Sequence, residues 1–363
     1  MGKMNNLLND IAQAKRPLCL LGQGVPREQV NDFLEFITRT SIPFGLSRLA
    51  LDYVPYSMPL NLGCLGIKGQ PYSHQVLAES DLIIALGHRV ASTVLPTQPT
   101  AKIYMMGTDI ADIRFPDVVH MDEKSGQDYC TWLSSWFRSA PADFLPDRSE
   151  WVKRCRNLKL AGKPWSPLQR HRLYDRDETI DLYDFMSALD AYSREQHILT
   201  TDAGSGYYVG GQVFQFEKGQ RELTSGSFAA MGISLPLAIG AAVAEPNKQI
   251  LAVTGDGSLE LNLQELKTLA YYQLNVKLFV IANGGYVSMR KWQDQHFEGR
   301  QIETTDQNVF HDYALLAEAF GLEYYRMDNP GTLLYDLEVV CQTTTPMLIE
   351  VVCTPHQTIY DAY

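Results

Sequence analysis

Apolar residues fall at helical spacing in NNLLNDIAQAKR, close up into the continuous run PLCLLGQGV, and return to helical spacing in REQVNDFLEFITRTS ahead of IPFGLS. The same exchange recurs through YSHQVLAES, DLIIALG and TAKIYMMGTD, so residues 1–140 read as a doubly wound α/β domain built on a parallel sheet. Its strand segments are apolar on both faces, which suits strands covered by helices on either side.

Between 141 and 178 the periodicity fades into APADFLPDRSEW and AGKPWSPLQRHRLYDRDET, rich in proline and charge, and the spacing predicts a connector with one short helix. Residues 179–363 then resume the pattern as a second doubly wound domain. Its helices are IDLYDFMSALDAYSRE, LPLAIGAAVAEP, LELNLQELKTLAYYQ and DYALLAEAFG. Its strands are HILTTDAG, QILAVT, VKLFVIAN and MLIEVVC. The fold class is therefore α/β, with two parallel-sheet domains.

Composition adds exclusions. The net charge is −11 with no Lys/Arg-rich run, which argues against nucleic acid and anionic membranes as partners. Six scattered cysteines contain no CxxC pair, and the first residues lack the apolar core of a signal peptide. These features predict a reduced, cytoplasmic protein acting on a small molecule. No apolar run approaches the ~18 to 20 residues that span a bilayer.

The candidate chemistry lies in GDGSLELNLQEL, between the strand QILAVT and the strand VKLFVIAN. Such a turn sits at the carboxyl edge of a parallel sheet, where open α/β sheets bind ligands. Gly255 and Gly257 allow close backbone approach, and a helix starting near Ser258 aims N–H groups at an anion such as a diphosphate. Asp256 would repel a phosphate unless a hard cation lay between them. Mg²⁺ accepts few carboxylates together with phosphate oxygens and carbonyls. Asn283, at the end of the next strand, offers a neutral amide oxygen. Taken singly, each of these motifs is an ordinary turn, and Met231 at the head of an apolar helix is core.

Taken together, GDGS followed by Asn283 resembles the thiamin diphosphate signature of the 2-oxoacid decarboxylase and carboligase superfamily. The resemblance is strongest to the acetolactate (acetohydroxyacid) synthase large-subunit family. GGYVSMRKWQDQHFEGR, SGSFAAMGISLPLAIGAAVA, TTDAGSGYYVGGQ and NLGCLGIKGQPYSHQVLAESDLIIALGHRV carry it over nearly the whole chain. It implies a central domain over 1–140 and a thiamin diphosphate-binding domain over 179–363. It also implies that Asp256, Asn283 and the Gly285 carbonyl hold Mg²⁺, and that Gly204, Ser205 and Gly206 approach the diphosphate. Met231 matches the apolar wedge that keeps the cofactor bent, and Trp292 matches an aromatic of the substrate pocket. Where the family has Met-Val, this chain has Ser288 and Met289. His88 and Arg89 lie where some members touch FAD, but the aspartates that follow are replaced by VASTVLP, so the pair reads as structural and FAD is not expected.

The family's pyrimidine-binding domain, which carries the glutamate that protonates the cofactor, has no counterpart in these residues. The expectation is a split enzyme, with a separate pyrimidine-domain subunit completing a hetero-oligomer. The implied reaction is decarboxylation of a 2-oxoacid followed by ligation of the acyl carbanion to a carbonyl acceptor. Simple decarboxylation, as in split sulfopyruvate-type decarboxylases, and a catalytically silent cofactor-binding subunit stay open. A dinucleotide-binding module is disfavoured, because no GxGxxG follows the first strand.

Overall fold

The computed structural model describes residues 2–90, 94–95, 99–107, 118–121, 126–141, 144–162, 179–302 and 311–361. The chain divides into two compact units. One comprises residues up to 164 with 215–217 and 360–363; the other comprises 165–214 and 218–359.

The first unit holds strands β1 (Pro17–Leu21), β2 (Phe44–Leu46), β3 (Asn61–Cys64), β4 (Leu82–Leu86), β5 (Lys102–Met106) and β6 (Val118–Met121). They form one parallel sheet in the order β3-β2-β1-β4-β5-β6. β1 and β4 are buried at every position, which the continuous apolar runs anticipate. The helix Ser149–Ala161 falls inside the stretch read from sequence as a connector, yet it is part of this unit's core. Its Trp151, Cys155 and Leu158 pack with Leu18, Ile83 and Ile103, and the Trp151 indole N–H donates to the Pro17 carbonyl at 2.8 Å. Residues 163–178, the C-terminal part of that connector, lie outside the described residues.

Just after β4, His88 is buried, and burial pushes its imidazole down to about 4. Its Nδ1 meets no partner among the described residues, whereas Arg89 is exposed. Residues 91–93 and 96 of the VASTVLP segment lie outside the described residues.

The second unit holds β7 (His197–Thr201), β8 (Arg221–Leu223), β9 (Gln249–Gly255), β10 (Val276–Ala282), β11 (Glu323–Met327) and β12 (Met347–Val352), again all parallel, in the order β11-β12-β10-β9-β7-β8. Local signals start and stop its helices. Asp181 caps Leu182–Tyr192 by accepting the Tyr183 N–H, and Asp312 caps Tyr313–Phe320 by accepting the Leu315 N–H at 3.0 Å. Leu235, Ala238 and Ala242 of the helix Ser234–Ala244 cover Ile250 and Leu278 on one face of the sheet. No helix among the described residues is long and apolar enough to cross a membrane.

Candidate functional site

β10, β9 and β7 lie side by side in the middle of the second sheet. Thr201 pairs with Val253, and Gly255 pairs with Ile281, so the three strands end nearly level. Segments 202–206, 255–258 and 283–285 therefore leave the sheet at one carboxyl edge. Residues that are up to 83 positions apart, from Asp202 to Gly285, meet there.

The first segment opens the helix Gly204–Val213. Ala203 is extended, Gly204 turns the chain at a φ of +64°, and no side chain caps the helix. A Cβ at that φ is strained, so glycine is required. The first-turn N–H groups of Gly204, Ser205 and Gly206 remain for an anion, aided by the positive end of the helix dipole. Close by, the Ser288 hydroxyl oxygen is buried with no hydrogen-bond partner among the described residues. It lies 4.0 Å from the point a Gly204 Cβ would occupy.

Helix begins slightly earlier than the sequence suggests: Asp256 is its first residue, in the turn Asp256–Leu259, and a 3₁₀ stretch Glu260–Asn262 follows before Glu265–Tyr271. The Asp256 carboxylate is 4% exposed. One oxygen accepts the Gly257 N–H at 2.8 Å; the other accepts the Asn283 N–H at 3.1 Å and the Gly285 N–H at 3.0 Å. Burial raises its proton affinity, and these three N–H donors with Arg290 act in the opposite direction. The Asn283 side chain, also buried, takes no hydrogen bond from a described residue, and the Gly285 carbonyl accepts only the Val287 N–H, at 3.0 Å, within that set. One carboxylate with neutral oxygens fits Mg²⁺ completed by phosphate oxygens. No cluster of three or more His, Cys, Asp or Glu occurs among the described residues, so this donor set does not suit a metal held by the protein alone.

Gly257 has a different use from the one its motif suggests. A Cβ there would lie 2.4 Å from the Tyr286 ring, so its missing side chain makes room for Tyr286 rather than for a ligand. Ser258 is likewise buried. A Cβ on Gly255 would meet the Ser258 hydroxyl oxygen at 3.7 Å, an ordinary contact.

Met231 lies partly buried in the turn before the helix Ser234–Ala244. The turn is fastened through Gly232, whose N–H donates to Asp202 at 3.3 Å and whose carbonyl accepts from Asn262 at 3.1 Å. Trp292 sits on the helix Val287–His296 and is 46% exposed, stacked on His296 at 4.3 Å and edge-on to Phe297 at 5.3 Å. No hydrogen bond or ring contact among the described residues joins it to the three strand-end segments.

Sequence reasoning passed over two residues that organise this edge. Asp202 accepts three protein donors, the Ala203 and Gly232 N–H groups and the Thr254 hydroxyl, and burial pushes it up to about 6 despite them. Arg290 donates to the Gly284 carbonyl at 2.7 Å, the Asn283 carbonyl at 3.3 Å and the Pro355 carbonyl at 2.9 Å, holding the turn after β10. The available signals were an acid closing an apolar strand in TTDAG and a cation two residues before Trp292.

A model of the thiamine pyrophosphate enzyme central domain matches residues 4–122, and one of the thiamine pyrophosphate enzyme C-terminal TPP binding domain matches residues 202–351. The chain is 30% identical over 353 residues to the acetolactate synthase large subunit of Lactococcus lactis subsp. lactis (strain IL1403), covering 96% of this chain and 59% of that protein. It is 27% identical over 353 residues to the probable acetolactate synthase large subunit of Methanocaldococcus jannaschii, covering 95% and 58%. It is 28% identical over 360 residues to the acetolactate synthase isozyme 1 large subunit of Escherichia coli (strain K12), covering 96% and 60%. The chain thus spans about three-fifths of the length of these relatives.

Proposed function

Because the chain belongs to the thiamine pyrophosphate enzyme family, we propose that it forms the diphosphate- and Mg²⁺-binding part of an enzyme that decarboxylates a 2-oxoacid and joins the acyl carbanion to a carbonyl acceptor. The observation that carries this reading is the buried Asp256 carboxylate. It faces the loop after β10 at the same sheet edge as the uncapped start of the helix Gly204–Val213.

In this reading Gly204, Ser205 and Gly206 bind the diphosphate, and Asp256, Asn283 and the Gly285 carbonyl hold the cation between protein and phosphate. Bound thiamin diphosphate supplies the carbanion chemistry. The chain's own residues would fix the cofactor, with Met231 as an apolar support and Trp292 bounding the substrate side. Carboligation is favoured over simple decarboxylation by the acetolactate synthase names of the relatives.

The segments 202–206, 255–258 and 283–285 contain two carboxylates, Asp202 and Asp256, both engaged by protein donors. With both engaged in this way, we assign the acid at the cofactor's pyrimidine to a separate subunit. Exposed Phe228, Leu261, Tyr271 and Tyr272 on the second unit support a polypeptide covering it. Six free, buried cysteines support a reducing compartment, the cytoplasm.

Calorimetric titration of the chain with thiamin diphosphate, with Mg²⁺ and with chelator, tests the cofactor assignment. Binding that is absent, or indifferent to chelation, overturns it. Product analysis with 2-oxoacids and a completing subunit then separates ligated products from simple aldehydes.

A further inference from the structure

Asp202 stands where the strand-end segments and the Met231 turn converge, and it is 2% exposed. Its Oδ1 accepts the Ala203 N–H at 2.6 Å, at the entry to the helix Gly204–Val213. Its Oδ2 accepts the Thr254 hydroxyl at 2.6 Å, from the end of β9, and the Gly232 N–H at 3.3 Å. One side chain thus touches the start of the first anion-facing helix, the strand end that leads into the GDGS turn and the residue that follows Met231.

A carboxylate is the side chain suited to this position. It brings only acceptor sites and meets only donors. An asparagine would keep one acceptor but turn an NH₂ group toward the Gly232 N–H, two donors facing each other. With its lone pairs directed at protein donors, Asp202 acts through its neighbours rather than on a ligand. Gly232 is also gripped from the other side, by Asn262 on its carbonyl, so the backbone immediately after Met231 is fixed at both its N–H and its C=O.

We propose that Asp202 is a positioning residue that fastens the Met231 turn to the anion-binding turns, keeping the apolar support and the diphosphate cradle at one spacing. The inference rests on the reading of this edge as a thiamin diphosphate site, and it extends that reading to a residue whose role is internal alignment.

The test uses the full chain and two readouts. In the first, with no cofactor added, amide hydrogen exchange is followed in Asp202→Asn. Exchange over 229–235 should quicken about tenfold or more, while β1 and β4 in the other unit keep their protection. Should Asp202→Asn fail to fold, Thr254→Val removes one donor without altering charge and must quicken the same segment, with Thr254→Ser restoring it. In the second readout, thiamin diphosphate affinity in Mg²⁺ is measured for wild type, Asp202→Asn, Met231→Ala and the double variant. Asp202→Asn should weaken binding roughly tenfold, and adding Met231→Ala should cost less than about twofold more, because residues acting as a unit are not additive. Unchanged exchange over 229–235, or losses that multiply independently, overturns the proposal. Failure of the wild type to bind thiamin diphosphate overturns the cofactor reading instead, and the exchange result still decides whether Asp202 fastens the turn.

Discussion

The Gly285 N–H donates to the Asp256 carboxylate at 3.0 Å, which fastens the turn after β9 to the turn after β10 across adjacent strands. The bond has a consequence for the cation. Asp256 is already oriented before any metal arrives, so binding does not have to order it, and preorganisation of this kind favours affinity. Asp256→Ala removes the only charged ligand of the proposed site and should weaken Mg²⁺-dependent thiamin diphosphate binding by more than the ~10 to 100-fold typical of losses one layer further out. Titration calorimetry checks it, and an affinity equal to wild type would remove Asp256 from the metal site.

Met231 is only partly buried, unlike the fully buried Leu235 and Ala238 that follow it. A core methionine truncated to alanine costs ~2 to 5 kcal/mol, so a side chain with this exposure should cost well below that range. Met231→Ala should therefore leave the melting temperature within a few degrees of wild type while lowering turnover in the completed enzyme. A large melting shift with full activity per folded molecule would make Met231 a packing residue.

Ser288 is the unexplained hydroxyl of the site, buried beside Gly204 with no hydrogen-bond partner among the described residues. A polar group in that state is costly unless something accepts its proton, and a diphosphate at the helix start would. Ser288→Ala should weaken thiamin diphosphate binding by roughly tenfold, the scale of one hydrogen bond to a charged group, and leave binding of unphosphorylated thiamin unchanged. Equal affinities in wild type and variant would show the hydroxyl idle.

How much of this was readable beforehand follows from burial. The inner strands β1, β2, β4, β5, β7, β9, β10 and β12 fall in segments that stand out as apolar, because helices cover both their faces. The four strands absent from the sequence reading, β3, β6, β8 and β11, are the four sheet edges. β8 is REL and β11 is EYYRM, with exposed ends and mixed character that no alternation rule isolates. The helix Gly204–Val213 was hidden by Gly204, Gly206, Gly210 and Gly211, which lower helix propensity while serving close packing. At the site, Asp256 and Asn283 were legible because their spacing is fixed by two consecutive βα units. Asp202 and Arg290 were not, since what marks them is convergence of hydrogen bonds from segments distant in sequence.

His197, at the start of β7 and away from the candidate site, gives a prediction in pH. Its Nδ1 accepts the Arg194 backbone N–H at 2.8 Å, and Tyr192 stacks on the ring. Burial first, and Arg194 second, push the imidazole down from 6.5 to about 4. The unfolded chain therefore binds the proton more readily than the folded one. The His197 contribution is fully present above pH 6.5 and is lost as pH falls toward 4, by up to about 3 kcal/mol. His197→Asn keeps an acceptor for the Arg194 N–H without titrating, so the second unit's unfolding should depend less on pH between 6.5 and 4. His88 titrates over the same window in the first unit, which makes the wild type minus His197→Asn difference the quantity to measure. Parallel stability profiles for the two proteins would contradict the assignment.

The final prediction concerns completeness of the active site. Decarboxylation in this reading needs an acid at the cofactor's pyrimidine, and general acid–base catalysis of this sort contributes ~10² to 10⁴-fold. The two carboxylates of segments 202–206 and 255–258 do not meet that need in this reading, because Asp256 is assigned to the cation and Asp202 accepts three protein donors. The 363-residue chain alone should then bind thiamin diphosphate with Mg²⁺ yet release little or no CO₂ from 2-oxoacids. Adding a subunit that carries the pyrimidine-binding half should restore 2-oxoacid consumption, and a Glu→Gln change in that subunit should abolish it without abolishing binding. Obligate interfaces commonly bury ~2,000 Å² or more, so the chain should also self-associate or lose solubility until the partner covers Phe228, Leu261, Tyr271 and Tyr272. Decarboxylation at ordinary enzymatic rates by a preparation shown by mass spectrometry to contain no second polypeptide would refute the split arrangement, and the missing acid would then have to be sought among the chain's own residues.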